Sequence, residues 1–227
     1  MRLLSVPLIR QSKGSTDCAR AVVAMVLNYY GYRCTLTGLK RQLAKEGVIN
    51  FLPAYGLFLI RKGFGIELVT KNPEIINDNY GRLSTSRLTQ ELQTNRRYYG
   101  KEKADQISIL VDFMKSGGTL KVRIPAFRLI KREIDAGRPL GAAIARSVLY
   151  NDSFPRPIIH FVLIVGYDQG DLLVNDPHWS KAGGKARRYS IEDFMYAIHS
   201  GSIGDIDNGS IMLFRYGLNR NVKSGKS

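Results

Sequence analysis

Residues 158–177 read IIHFVLIVGYDQGDLLVNDP. The first ten form an almost continuous apolar run rich in Val and Ile, which predicts a buried strand. Turn residues follow at 168–170, and residues 172–175 begin a partner strand. The stretch therefore predicts a β-hairpin that carries His160 on its first strand and Asp176 at the end of its second.

Helical patterns dominate the first half of the chain, and strands follow. After the cap-type residues Thr16 and Asp17, apolar residues recur at helical spacing, so Cys18 begins a helix that Gly31 ends. Further helices are predicted at 37–46, 53–62, 126–136 and 190–197 and within the polar stretch 84–118; strands are predicted at 1–9, 66–70, 140–145 and 210–216. This order indicates one α+β domain over residues 1–218, followed by a basic disordered tail at 219–227.

Composition restricts the chain to a globular class. The 227 residues have a mass of 25.5 kDa and are 44% hydrophobic, which is enough for one sizeable core. Apolar runs stay well short of the ~20 residues needed to cross a bilayer. Disordered, collagen-like and membrane-spanning classes are excluded.

The number of cysteines and the N-terminal apolar run indicate the cellular compartment of the protein. Cys18 and Cys34 are too few for a disulfide scaffold or for a four-ligand zinc site, which favours a reducing compartment. Pro7 and Arg10 interrupt the N-terminal apolar run before it reaches the length of a secretory signal. A cytoplasmic location is expected, with non-classical secretion left open.

The chain is strongly basic, with 34 Lys and Arg against 19 Asp and Glu for a net charge of +15. The positive residues are spread over many predicted elements, which is typical of a solvated surface. The alternative is attraction to an acidic partner, namely nucleic acid, anionic lipid or an acidic protein. No zinc-finger or aromatic RNP pattern singles out nucleic acid among these.

The candidate chemistry centres on Cys18. A helix N-terminus favours a thiolate, because unpaired N–H groups and the helix dipole point toward the anion. A thiolate nucleophile needs a base and an orienting group, and the predicted hairpin offers His160 with Asp176 placed to accept its Nδ1 proton. The Gln11 side chain and the Cys18 N–H are candidate donors to an oxyanion, because the turn-rich loop between them can fold back.

With these residues in place, the sequence resembles the papain-like cysteine peptidases, in the branch of the bacteriocin-processing, double-glycine leader peptidases and their stand-alone relatives. The matching stretches are VPLIRQ (6–11) with TDC (16–18), residues 21–31, IDAGRP (134–139), HFVLIVGYD (160–168) and VNDP (174–177). The likeness thins at 72–116, which is interpreted as a helical insertion. Ala19 and Arg20 stand where the family usually has Gly and often Pro, which predicts a charged group at the mouth of the cleft.

The resemblance implies a papain-like α+β fold in which an N-terminal helical part packs on a C-terminal antiparallel sheet. It implies a peptidase with Cys18 as nucleophile, His160 as base, Asp176 as orienting acid and Gln11 in the oxyanion hole. Its substrate would be a leader peptide or another peptide or protein, with no metal or organic cofactor required.

Two alternatives stay open at this point. A deamidase or transamidase would use the same nucleophile with a different acceptor, and a non-catalytic module would use the cleft or the basic surface to hold a peptide or nucleic acid. Cys34 is interpreted as structural. His178 is interpreted as solvated, with the lining of a substrate pocket beside Trp179 as the alternative.

Overall fold

The structure is a computed structural model that describes residues 1–71, 78–150, 158–201 and 209–217. Within these ranges the helices are α1 (Cys18–Tyr29), α2 (Leu36–Lys45), α3 (Leu52–Arg61), α4 (Thr85–Asn95), α5 (Lys101–Lys115), α6 (Phe127–Asp135), α7 (Arg146–Tyr150) and α8 (Ile191–Ser200). The strands are β1 (Arg2–Leu3), β2 (Phe64–Thr70), β3 (Thr119–Val122), β4 (Leu140–Ala145), β5 (Ile159–Asp168), β6 (Asp171–Asp176), β7 (Gly184–Ser190) and β8 (Ile211–Tyr216).

The strands form one sheet in the order β3-β2-β8-β4-β5-β6-β7, and β1 pairs with β5. The described pairs are antiparallel except for β2 with β3, which is parallel. Every side chain of β4 is buried, and β5 is buried from His160 to Gly166, as expected for strands covered on both faces. The sheet therefore runs through the core rather than along one side of it.

The predicted hairpin is confirmed as β5 and β6. Gln169 and Gly170 connect the two strands with backbone φ angles of 40° and 99°, the left-handed conformations of a two-residue type I′ turn. This turn twists in the same sense as the strands and sets the register next to it. A β-bulge between Ile164 and Gly166 then shifts the register by one residue, which brings Asp176 to the face of the sheet that carries His160.

Helix α1 packs against β5. Its residues Ala19 and Ala21–Leu27 are buried, because nearly the whole helix surface is apolar. Helix α3 packs against β2 and α5, and α8 packs against β4. The first turn of α1 consequently lies over the strand that carries His160.

The predicted α+β class is confirmed. The predicted strand at 66–70 is β2, which joins the same sheet as the C-terminal strands, and β3, which was not predicted, pairs with β2 in parallel. The N-terminal strand spans only Arg2–Leu3, with both side chains exposed. Strand β7 was not predicted because Arg187, Arg188 and other polar residues hide its pattern, as is common for the exposed strand at a sheet edge.

Residues 78–116 are largely helical, with α4, α5 and short 3₁₀ turns at Asp78–Arg82 and Arg96–Tyr98. The interpretation of 72–116 as an insertion, and the boundary of the domain at 218, stay predictions; the predicted tail lies outside the described residues. Among the helices in the described ranges, none has the length and apolar character needed to cross a membrane.

Candidate active site

Cys18 is the first residue of α1, as predicted. The first N–H groups of a helix have no partner within it, and that of Ala19 contacts the Cys18 sulfur. Asp17 was expected to cap them, but its side chain makes no capping hydrogen bond. Its two oxygens instead bind Arg20 and Lys40, each at 2.6 Å. The N-terminus of α1 therefore has no side-chain cap, and the two cations neutralise the buried Asp17 carboxylate next to Cys18.

His160 and Asp176 meet across the β5–β6 hairpin. The distance from His160 Nε2 to Asp176 Oδ1 is 2.8 Å, and the two residues are 4% and 0% exposed. The prediction that Asp176 accepts the Nδ1 proton is wrong, because the carboxylate faces Nε2. Nδ1 is thus the ring nitrogen left for Cys18, with which His160 also shares a hydrogen bond.

The electrostatics favour an ion pair between Cys18 and His160. Burial alone would raise the pKa of the Cys18 thiol, but the hydrogen bond and charge of His160, with backbone N–H groups of Phe161 and Ala19, lower it. Burial alone would lower the pKa of His160, but hydrogen bonds to Asp176 and Cys18 raise it to about 9. The two shifts are coupled and point the same way, toward a thiolate beside an imidazolium.

The Asp176 carboxylate has further donors that the sequence did not reveal. The backbone N–H of His178 donates to Oδ1 at 2.9 Å, and the Tyr150 hydroxyl donates to Oδ2 at 2.5 Å. Burial would raise the pKa of Asp176, yet these donors and His160 lower it. A short helix after β4 brings Tyr150 to this position, and no local pattern signals that contact.

Gln11 lies at the same site and is buried. Its backbone N–H donates to the carbonyl of Pro177 at 2.8 Å, which ties the loop before α1 to the loop after Asp176. Its Nε2 donates one hydrogen to the Ser15 carbonyl at 2.6 Å. A primary amide has two such hydrogens, so one is left for an oxyanion.

These groups border a cavity of about 300 Å³. Its lining includes Gln11, Cys18, His160 and His178, together with Asn50, Phe51, Leu52 and Tyr55 from α3 and the loop before it. Arg146, Ser15, Thr16 and several apolar side chains complete the lining. The nucleophile, base and amide candidates therefore open onto one shared space large enough for part of a peptide.

Two residues near the site, Arg20 and His178, differ from expectation. Ala19 lines the cavity, but Arg20 is not among the lining residues because Asp17 holds its guanidinium. His178 was interpreted as solvated, yet it is 9% exposed, lines the cavity and stacks on the half-exposed Trp179. Cys34 lies beyond the other end of α1 and is, like Cys18, a free thiol.

The comparisons with known proteins identify the family of the chain. The model of the Peptidase_C39-like family matches residues 3–198, and the chain belongs to that family. The papain-like fold expected from the sequence is that of the family. A comparison with curated protein sequences finds no match.

Two solved structures are similar over nearly the whole chain. The peptidase domain of Streptococcus ComA, a bifunctional ABC transporter involved in a quorum-sensing pathway, is 15% identical, with a TM-score of 0.46, and the match covers 92% of this chain and 98% of that one. A double-glycine-motif protease from an AMS/PCAT transporter, solved in complex with its leader peptide, is 16% identical with a TM-score of 0.45, and the match covers 95% of each chain.

Proposed function

We propose that the protein is a cysteine peptidase that hydrolyses peptide bonds by thiol acyl transfer. Cys18 is the nucleophile, His160 the general base and acid, Asp176 the group that orients His160, and Gln11 an oxyanion donor. The observation that carries the proposal is the hydrogen-bonded series from Cys18 through the buried His160 to the buried Asp176, at the wall of a cavity. Membership of a peptidase-like family supports it.

The first half of the reaction forms an acyl-enzyme. The Cys18 thiolate attacks the carbonyl carbon of the scissile peptide, and the carbonyl oxygen becomes an oxyanion that accepts hydrogen bonds from the Cys18 N–H and Gln11 Nε2. The His160 imidazolium then gives its proton to the leaving amine as the C–N bond breaks. The products are a thioester on Cys18 and a free amine.

The second half releases the acid. Neutral His160 removes a proton from water, and the resulting hydroxide attacks the thioester carbonyl. The C–S bond breaks, the carboxylic acid leaves, and the thiolate and imidazolium are restored. Asp176 keeps its hydrogen bond to Nε2 throughout, so the ring presents Nδ1 to the reacting atoms in both halves.

A digest of a diverse peptide mixture by the purified protein tests the proposal. New peptide termini should appear, and they should disappear with Cys18→Ala. Cys34→Ala is the matched control, because it removes the other thiol of the chain at the far end of α1 and should leave cleavage unchanged. Cleavage that survives Cys18→Ala would refute the proposal.

The same mass spectra separate the alternatives. Conversion of side-chain amides to acids without new termini would indicate a deamidase, and cross-linked peptides would indicate a transamidase. A folded protein whose Cys18 resists a mechanism-based thiol probe would favour a binding module instead. We place hydrolysis first because the family is peptidase-like.

A further inference from the structure

Tyr150, the last residue of α7, contacts the residues around the candidate acid. Its hydroxyl donates to Asp176 Oδ2, and its ring lies 6.1 Å from that of His160 and 5.4 Å from that of His178, in edge-on geometry. Nothing in the peptidase chemistry described above assigns it a role.

The two oxygens of the Asp176 carboxylate have different partners. Oδ1 accepts from His160 Nε2 and from the His178 N–H, whereas Oδ2 accepts from Tyr150. Asp176 is 0% exposed, so bulk water does not reach the carboxylate to replace a missing donor. A carboxylate bound at both oxygens has its plane fixed, and that plane sets the direction of the bond to Nε2.

We propose that Tyr150 is a positioning residue that holds the Asp176 carboxylate in the orientation that aligns His160 with Cys18. The proposal rests on the proposed function, because it requires a thiolate–imidazolium pair at Cys18. Burial, followed by the neighbouring Asp176, raises the pKa of Tyr150 above its ordinary value. The Tyr150 hydroxyl consequently stays protonated, and remains a hydrogen-bond donor, at every pH at which the Cys18 thiolate forms.

Other titratable and charged groups face this hydrogen bond. Besides His160 on β5, they are His178 after β6, Tyr189 on β7 and Arg146 on α7, whose guanidinium lies 5.4 Å from the Tyr150 ring centre. Removing only the Tyr150 hydroxyl leaves all of them in place. A change in pH dependence then reports the lost hydrogen bond.

The test compares Tyr150→Phe with wild type by iodoacetamide labelling of Cys18 across pH, read by mass spectrometry of the Cys18 peptide. Without the hydroxyl, the imidazolium is held less well against the sulfur, so the labelling profile should move to higher pH. Labelling at mildly acidic pH should fall about tenfold, in line with the loss of one hydrogen bond to a charged group. Tyr98→Phe is the matched control: Tyr98 is 70% exposed, its hydroxyl accepts from Arg97, and its profile should coincide with wild type.

A double-mutant cycle shows whether Tyr150 acts through Asp176. In an Asp176→Ala background, Tyr150→Phe should cause no further displacement of the profile. An equal displacement in both backgrounds would overturn the proposal, as would a Tyr150→Phe profile that coincides with wild type. If the Phe variant does not fold, 3-fluorotyrosine placed at position 150 alters the acidity of the hydroxyl at nearly constant size; a displaced profile supports the proposal and an unchanged one overturns it.

The outcomes also separate this inference from the proposed function. A wild-type Cys18 that labels only in the alkaline range of an ordinary thiol would overturn both. A wild-type profile at low pH that Tyr150→Phe leaves unmoved would overturn the role of Tyr150 alone.

Discussion

Replacing Asp176 by Asn removes one charge from the candidate site at nearly constant shape. The Asn Oδ1 atom can still accept from His160 Nε2 and the His178 N–H. Its Nδ2 atom then faces the Tyr150 hydroxyl and reverses the direction of that hydrogen bond. We expect the fold to persist and the ion pair to weaken, because an imidazolium is stabilised less by an amide than by a carboxylate.

The expected loss of rate can be related to the shift in the pKa of His160. Its pKa rises from 6.5 to about 9, which favours the imidazolium by about 3 kcal/mol. This is a net effect: burial opposes it, and Asp176 and Cys18 share it. A hydrogen bond to a charged acceptor is worth about 1–2 kcal/mol more than one to a neutral acceptor, so Asp176→Asn should slow Cys18 chemistry by roughly five- to thirtyfold.

The change in the pKa of His160 also sets the direction in which the pH–rate profile moves. A lower pKa for His160 means that less imidazolium is present to stabilise the thiolate, so the acidic limb of the rate profile should move to higher pH. Cleavage and Cys18 labelling should move together. Asp171→Asn is the matched control, because Asp171 lies at the other end of β6 and pairs with Arg188. Equal profiles for wild type and Asp176→Asn, with both proteins folded, would refute the ion-pair reasoning.

Three further predictions concern the oxyanion donor, acid stability and packing. Gln11→Ala should lower kcat about a hundredfold with little change in KM, as for the loss of one oxyanion donor; steady-state kinetics measure this, and a change confined to KM would contradict it. Asp17→Asn should reduce the free energy of unfolding in urea by about 2 kcal/mol at neutral pH. Burial would raise the pKa of Asp17, but hydrogen bonds from Lys40 and Arg20 lower it below 3.8. The difference in unfolding free energy between wild type and Asp17→Asn should therefore be full above pH 3.8 and vanish as the pH falls through the pKa of Asp17 in the folded protein. A difference that persists in strong acid would contradict this prediction. Gly141→Ala should cost about 1–3 kcal/mol of stability, because the new Cβ would lie 2.3 Å from the Phe161 ring; unchanged urea unfolding would show that the ring can move aside.

Features set by local pattern could be predicted from the sequence. The apolar run with its turn gave the β5–β6 hairpin, and the helical spacing after Asp17 gave α1 with Cys18 at its start. Because a hairpin brings the ends of its strands together, His160 and Asp176 were expected to meet. The α+β class followed from these patterns, whereas the papain-like fold and the assigned roles of the candidate residues came from the family resemblance.

Features that depend on contacts between distant side chains could not be predicted from the sequence. The choice of Nε2 over Nδ1 depends on the rotamer of His160, which the packing of the whole site determines. Asp17 does not cap α1 because Lys40, from the next helix, competes for its carboxylate. Tyr150 reaches Asp176 only because β4 lies beside β5 in the sheet, and strand order across a sheet is not contained in the pattern of any one strand.

The wide separation of Cys18 from His160 and Asp176 along the chain has a consequence during synthesis. A ribosome that builds the protein from its N-terminus releases the thiol long before it makes the imidazole and the acid. Until the β5–β6 hairpin has emerged and joined the sheet, the sulfur has the reactivity of any free cysteine. In the proposed mechanism, the chain therefore gains peptidase reactivity only after β5 and β6 have joined the sheet.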